Sequence, residues 1–201
     1  MKEIKVKKSG HLLETVSLVA EALATGQVVV LPTDTIYGFS CLADNSRAVK
    51  RIFKLKGRSL DKPFIVLVAS LHMARKYVQF SPKQQALLRK YWLKDARPTT
   101  VILKNRDCLS ADLNGGRDSL ALRLPKSDFL IKIMKKLDRP LVSTSLNISG
   151  QADIFNLSDI SANWPDKKNQ PDLIVNYGRP RRKKPSRIID LQGIRPVVIR
   201  K

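Results

Sequence analysis

Acidic residues are scarce in this chain. Asp and Glu number 17 against 38 Lys and Arg in 201 residues, a formal net charge of +21. That excess points to a polyanionic partner such as nucleic acid, to small anionic substrates, or to a generally basic proteome. Cysteine is also scarce. Cys41 and Cys108 stand far apart with no CxxC spacing, which excludes a cysteine zinc site and a disulfide framework. The two histidines, His11 and His72, are too few for a metal cluster, so no resident metal is expected. No segment approaches the roughly 18 apolar residues of a membrane span. The charged start, Met1 to Lys8, has no apolar stretch behind it, so a cytoplasmic chain with no membrane contact is expected. The familiar phosphate loops GxxxxGK[ST] and GxGxxG are absent, as are HExxH and GxSxG. A bound nucleotide must then be held by side chains and by turn or helix amides.

What is present suffices for a core, since 43% of residues are hydrophobic. Apolar spacing predicts a helix over 12–25 capped by Gly26, and a buried strand over Val28–Leu31 that Pro32 ends. A second helix starts at Asn45 or Ser46, and Phe64–Ala69 reads as a buried strand. Ser81-Pro82 is a strong helix start. Further strands are expected at Thr99–Leu103, Leu120–Leu124, Leu141–Ser145, Leu173–Val175, Ile188–Leu191 and Val197–Ile199, with a helix around Phe129–Leu137. Alternating helices and strands with a strand-rich end give one α/β domain, residues 1–201, built on a mixed sheet.

Four polar clusters sit at the ends of these elements. Thr33-Asp34-Thr35 follows a buried strand, where open α/β sheets bind ligands; it also fits an ordinary turn with Asp34 as a helix cap. Lys56, Arg58 and Lys62 place three cations within seven residues, suited to phosphate or to a solvated basic helix end. Ser143-Thr144-Ser145-Leu146-Asn147 is dense in neutral donors, as anion recognition requires and as a capping loop also would be. Arg123, Ser186 and Arg200 put polar groups in or beside apolar strands. The run Arg179–Arg187 holds six basic residues and no acid, and reads as a functional loop, an RNA or partner contact, or a solvated surface loop.

Taken in order, PTDTIYG, KLKGRSLDKPFIVLVA, LALRLP, STSLNISG, PSRIIDL and a terminal strand ending in Arg resemble the YrdC/TsaC family of threonylcarbamoyl-AMP synthases over about residues 12–201, in its short, single-domain form. The resemblance implies a YrdC/RibB-like open twisted mixed sheet around a positively charged cavity. It implies that L-threonine, bicarbonate and ATP, with Mg2+, give threonylcarbamoyl-AMP and pyrophosphate. A separate transferase complex then modifies the tRNA adenosine next to the anticodon.

Carried over by motif, Thr35, Ser143 and Ser186 contact threonine and Arg123 binds its carboxylate. Arg58, Lys62, Ser119, Ser145, Asn147 and Arg200 hold ATP, and Lys56 and Arg58 carry the electrostatic catalysis. Some positions depart from the pattern. Leu67 stands where many relatives have His, Arg187 where Thr is common after the serine, and Asp153 where a small hydroxyl is common. Ala96–Thr100 is a divergent form of a tryptophan-proline-glycine-proline element. The alternative is a YrdC-like or YciO-like protein that binds double-stranded RNA or tRNA through phosphates without this activity.

Overall fold

A computed structural model describes residues 1–6, 12–178 and 185–201. His11 and residues 179–184 of the basic run lie outside the described residues. The strands are β1 (Lys2–Lys5), β2 (Val29–Leu31), β3 (Gly38–Leu42), β4 (Ile65–Leu67), β5 (Val78–Gln79), β6 (Thr99–Asn105), β7 (Ser119–Arg123), β8 (Leu141–Ser145), β9 (Leu173–Asn176), β10 (Arg187–Asp190) and β11 (Val197–Arg200). The helices are α1 (Leu12–Ala24), α2 (Ser46–Lys56), α3 (Leu71–Tyr77), α4 (Pro82–Arg89), α5 (Asp128–Leu137) and α6 (Ile160–Asn163).

Among the described residues the strands form one open mixed sheet in the order β1-β9-β2-β3-β8-β4-β7-β6-β10-β11, with β5 added beside β6. The pairs β1–β9, β9–β2, β4–β7 and β6–β10 are parallel. The pairs β2–β3, β3–β8, β8–β4, β7–β6 and β10–β11 are antiparallel. This is the mixed α/β sheet that the alternation of elements predicts.

Local chemistry explains the helices. Asn45 caps α2 by accepting from the Ala48 amide, and Gly57 closes it in the left-handed region at φ 54°. Ser81 and Gln84 form a reciprocal capping box behind Pro82. Helix α1 packs against α5 and also lies on β2 and β3, and α2 covers β3 as well. Every residue of β2 and β3 is therefore buried. Trp164 meets Phe39 edge-on at 5.1 Å and donates its indole N–H to the Leu55 carbonyl.

β1, β3 and the two-residue β5 escape a reading by pattern. β1 is nearly all polar, and β9 alone orders it by parallel pairing. β3 reads Gly-Phe-Ser-Cys-Leu, with no alternation and a glycine at its head. It is a strand because both neighbours, β2 and β8, offer antiparallel edges.

Gly38 is required where β3 crosses β8. A Cβ there would lie 2.5 Å from the Thr144 carbonyl oxygen. Gly38→Ala is expected to cost about 1–3 kcal/mol through overpacking, lowering Tm by roughly 2–12 °C. An unchanged melting curve would show that β8 yields freely at this point.

Candidate active site

The ends of β3, β4, β8, β10 and β11 surround a cavity of about 390 Å3. Its lining includes Thr33, Thr35, Arg58, Arg123, Ser143, Ser145, Asp153, Ser186 and Arg200. Seven residues singled out from sequence therefore meet in one place: Thr35, Arg58, Arg123, Ser143, Ser145, Ser186 and Arg200. Lys56, Lys62, Ser119 and Asn147 do not line it. Lys62 is exposed, and its carbonyl accepts from Arg58 Nε at 3.0 Å. Ser119 opens β7 opposite Lys104 of β6. Leu67 is fully buried in β4 and also stays out of the cavity.

The loop between β2 and β3 is folded by one hydroxyl. Thr33 Oγ1 accepts from the amides of Thr35 and Ile36 and donates to the Ile36 carbonyl at 2.6 Å. A hydroxyl has a single proton, so in the 2.9 Å contact between Thr33 and Thr35 the donor is Thr35. Thr35 Oγ1 is thereby left as an acceptor, and Arg123 Nη1 approaches it at 3.4 Å.

Arg123 is 3% exposed and lies at the end of β7. Its Nη2 is 3.3 Å from Asp34 Oδ1, and among the described residues its Nε has no partner. Burial pulls its pKa down; Asp34 opposes that shift and Arg200 adds to it. Asp34 Oδ2 also accepts from the Lys126 amide at 3.0 Å, which ties the β2–β3 loop to the segment after β7. Asp34 is a counter-ion, not the helix cap that its turn-like setting suggests. No signal links it in sequence to an arginine 89 residues away.

On the facing wall, Arg200 folds back onto Ser186. Nε and Nη2 donate to the Ser186 carbonyl at 3.0 and 2.7 Å, and Nη2 reaches Ser186 Oγ at 3.3 Å. Ser186 Oγ also shares a buried 2.9 Å bond with Thr100 Oγ1, so the divergent Ala96–Thr100 element supplies a support of the site. Arg187 is engaged elsewhere, on Asp95, Thr99 and the Tyr91 ring.

The third wall is organised by a buried amine. Lys56 is 1% exposed, and its Nζ donates to the Ser145 carbonyl at 2.7 Å, the Asn147 carbonyl at 2.9 Å and Asn147 Oδ1 at 2.7 Å. All three donors are spent. Asn147 Oδ1 also accepts from Ser145 Oγ at 2.7 Å, and its Nδ2 donates to the Gln151 carbonyl. Arg58 commits Nε and one Nη2 bond to the carbonyls of Lys62 and Pro63 and stacks over Phe64 at 5.3 Å. Asp153, left out of the sequence-derived set, lines this wall.

A profile of the Sua5/YciO/YrdC family, described as telomere recombination, matches residues 21–201. The chain belongs to this family. The threonylcarbamoyl-AMP synthase of Pyrococcus abyssi is 30% identical over 186 residues, covering 92% of this chain and 53% of that protein. That of Vibrio campbellii is 30% identical over 149 residues, covering 74% and 80%. The crystal structure of Pyrococcus abyssi Sua5 complexed with L-threonine superposes with a TM-score of 0.87 at 28% identity, covering all of this chain and 57% of that one. This Sua5/YciO/YrdC member thus spans about half the length of the archaeal relative.

In this family member, burial lowers the Lys56 pKa to about 8; Arg58 pushes the same way and Asp153 opposes. Between pH 8 and 10.5 the unfolded chain holds the Lys56 proton that the folded chain has released, so this group's contribution to stability rises with pH in that window. Lys56→Met cannot titrate. Its stability deficit against the natural chain should therefore widen from pH 8 to pH 10, as read by urea unfolding at each pH. A deficit that narrows would contradict the lowered pKa.

Proposed function

We propose that this chain is an L-threonylcarbamoyladenylate synthase, acting as one YrdC-like unit over residues 1–201. The observation that carries this reading is Arg123, a buried guanidinium at the cavity wall with an unpartnered Nε and only long contacts to Asp34 and Thr35. A buried cation held so loosely is suited to a carboxylate that completes its hydrogen bonds.

In this reading threonine's carboxylate pairs with Arg123. Its ammonium donates to Thr35 Oγ1, whose own proton is already committed to Thr33. Ser143 and Ser186 contact the rest of the amino acid. MgATP is the second substrate. Its phosphates lie against Arg58, Arg200 and Ser145, and Lys62 and Ser119 bind it from beyond the cavity lining. Lys56 and Asn147 act by holding the Ser145–Asn147 backbone in place.

The ammonium gives one proton to solvent, and the resulting amine and bicarbonate form a carbamate with loss of water. A carbamate oxygen attacks the α-phosphorus, and pyrophosphate leaves with the bonding electrons. No protein nucleophile is needed. Positioning and electrostatic stabilisation of the crowded negative charge supply the rate.

The product passes to a tRNA-modifying transferase complex in the cytoplasm. Among the described residues no helix is long and apolar enough to cross a membrane. The net charge of +21 favours a second reading, in which the chain binds tRNA or double-stranded RNA directly.

Pyrophosphate release with ATP, Mg2+ and bicarbonate is expected to depend on L-threonine and to be poor with serine. Arg58→Ala should reduce it about a hundredfold. Arg123→Lys keeps the charge and loses the fork, so it should raise the KM for threonine by about tenfold with ATP binding intact. Release that ignores threonine would sink the proposal. RNA binding without any release would leave the second reading in its place.

A further inference from the structure

Asp153 is the one carboxylate among the residues lining a cavity that also carries Arg58, Arg123 and Arg200. It lies on the segment that leads away from β8, past Asn147 and Gln151. Other acids around the site are engaged. Asp34 faces Arg123, Asp95 pairs with Arg187, and Asp61 lies among Ser59, Lys62 and Arg117. Asp153 makes no hydrogen bond or ion pair among the described residues, although three arginines share its cavity. Its electrostatic influence falls on Lys56, which places it on the wall where Lys56 holds Ser145 and Asn147.

A carboxylate on that wall opposes the ligand that the wall is otherwise built for. A polyphosphate drawn by Arg58 and Arg200 also meets a like charge at Asp153. The repulsion becomes attraction when a divalent cation sits between carboxylate and phosphate. Mg2+ suits a site with a single carboxylate, because it keeps several waters and completes its octahedron with substrate phosphate oxygens. No group of three or more acids, histidines or cysteines able to hold a metal occurs among the described residues. The ion would therefore arrive with the nucleotide.

We infer that Asp153 is a ligand, direct or through water, for the divalent cation that accompanies the nucleotide, and that it makes nucleotide binding depend on that cation. The inference rests on reading the cavity as a nucleotide site. A carboxylate contacting a ribose hydroxyl or a base amine would serve the nucleotide equally with or without metal.

Calorimetric titration of the full chain with ATP, in EDTA and in MgCl2, separates these roles. For the natural chain Mg2+ should tighten ATP binding by about tenfold or more. Asp153→Asn should bind ATP more tightly than the natural chain in EDTA, because the repulsion is gone, and should gain almost nothing from Mg2+. Asp153→Glu keeps the charge and should keep the metal dependence, so it guards against a misfolded amide variant. With Mn2+ in place of Mg2+, the electron paramagnetic resonance spectrum of the bound ion should differ between the natural chain and Asp153→Asn. Equal weakening of ATP by Asp153→Asn in both media would overturn the inference in favour of a ribose or base contact. So would a natural chain that binds ATP equally with and without metal, which would leave the synthase reading standing. Absence of ATP binding in every medium would overturn both.

Discussion

The Asp34–Arg123 pair sets the conditions under which the rest of the site exists. A guanidinium 3% exposed at the end of a central strand has lost its water, and removing a charge from water costs several kcal/mol even after relaxation. Asp34 returns part of that cost and holds the Lys126 amide with its other oxygen. The pair therefore joins two loops that the sheet would otherwise leave independent. The contacts of Arg123 to Asp34 at 3.3 Å and to Thr35 at 3.4 Å are long, so the compensation is incomplete. A better-satisfied arginine would make a more stable protein and a poorer receptor for a carboxylate. The fold tolerates the shortfall because β7 lies inside the sheet, between β4 and β6, and its backbone cannot shift to relieve it.

Lys56 solves a different problem. The Ser145–Asn147 segment leaves a strand and turns sharply, exposing carbonyls that no sheet neighbour satisfies. A buried ammonium takes two of them together with the Asn147 side chain, and the Ser149 amide returns a bond to the Lys56 carbonyl. Helix α2 thus ends by gripping the loop that carries Ser145. The same helix end begins the turn to Arg58, whose guanidinium is braced on two carbonyls and a ring. The two cations differ in duty although two residues separate them. One has spent every donor inside the protein. The other, at the cavity wall, has no hydrogen bond from Nη1 among the described residues.

This division was not legible in the sequence. Lys56, Arg58 and Lys62 read as three equivalent cations, because spacing reports neighbours along the chain and not the carbonyls 89 and 91 positions away that claim Lys56. The elements with a strong local signal were legible. Ser81-Pro82 starts a helix through a capping box, and Val29–Leu31 is a strand buried on both sides. β1 and β3 were not, since each owes its conformation to hydrogen-bonding edges supplied by distant strands. Asp34 failed for the same reason, its partner being a residue of another strand. Seven of the motif residues line one cavity because they cluster at strand ends. The motifs said little about which side chains face the cavity and which hold up those that do.

Among the described residues the charged lining of this cavity is three arginines and one aspartate, a small part of the 38 Lys and Arg in the chain. Two effects must then be kept apart. Charge on the outer surface draws any anion toward the protein, but its reach is limited to about 8 Å by physiological salt. Such a field changes encounter rates and cannot tell an amino acid from a nucleotide. Discrimination has to come from the few groups whose surroundings exclude water, where an unpaired donor or a misplaced charge is costly. Arg123, whose Nε is unpartnered among the described residues, is such a group, and the half-buried Asp153 adds the opposite charge to the same cavity. On the proposed reading the first is completed by an anion, and the second admits an anion only in company with a cation. On that reading, basic residues elsewhere on the chain set how quickly ligands arrive, and these two side chains select which of them stay.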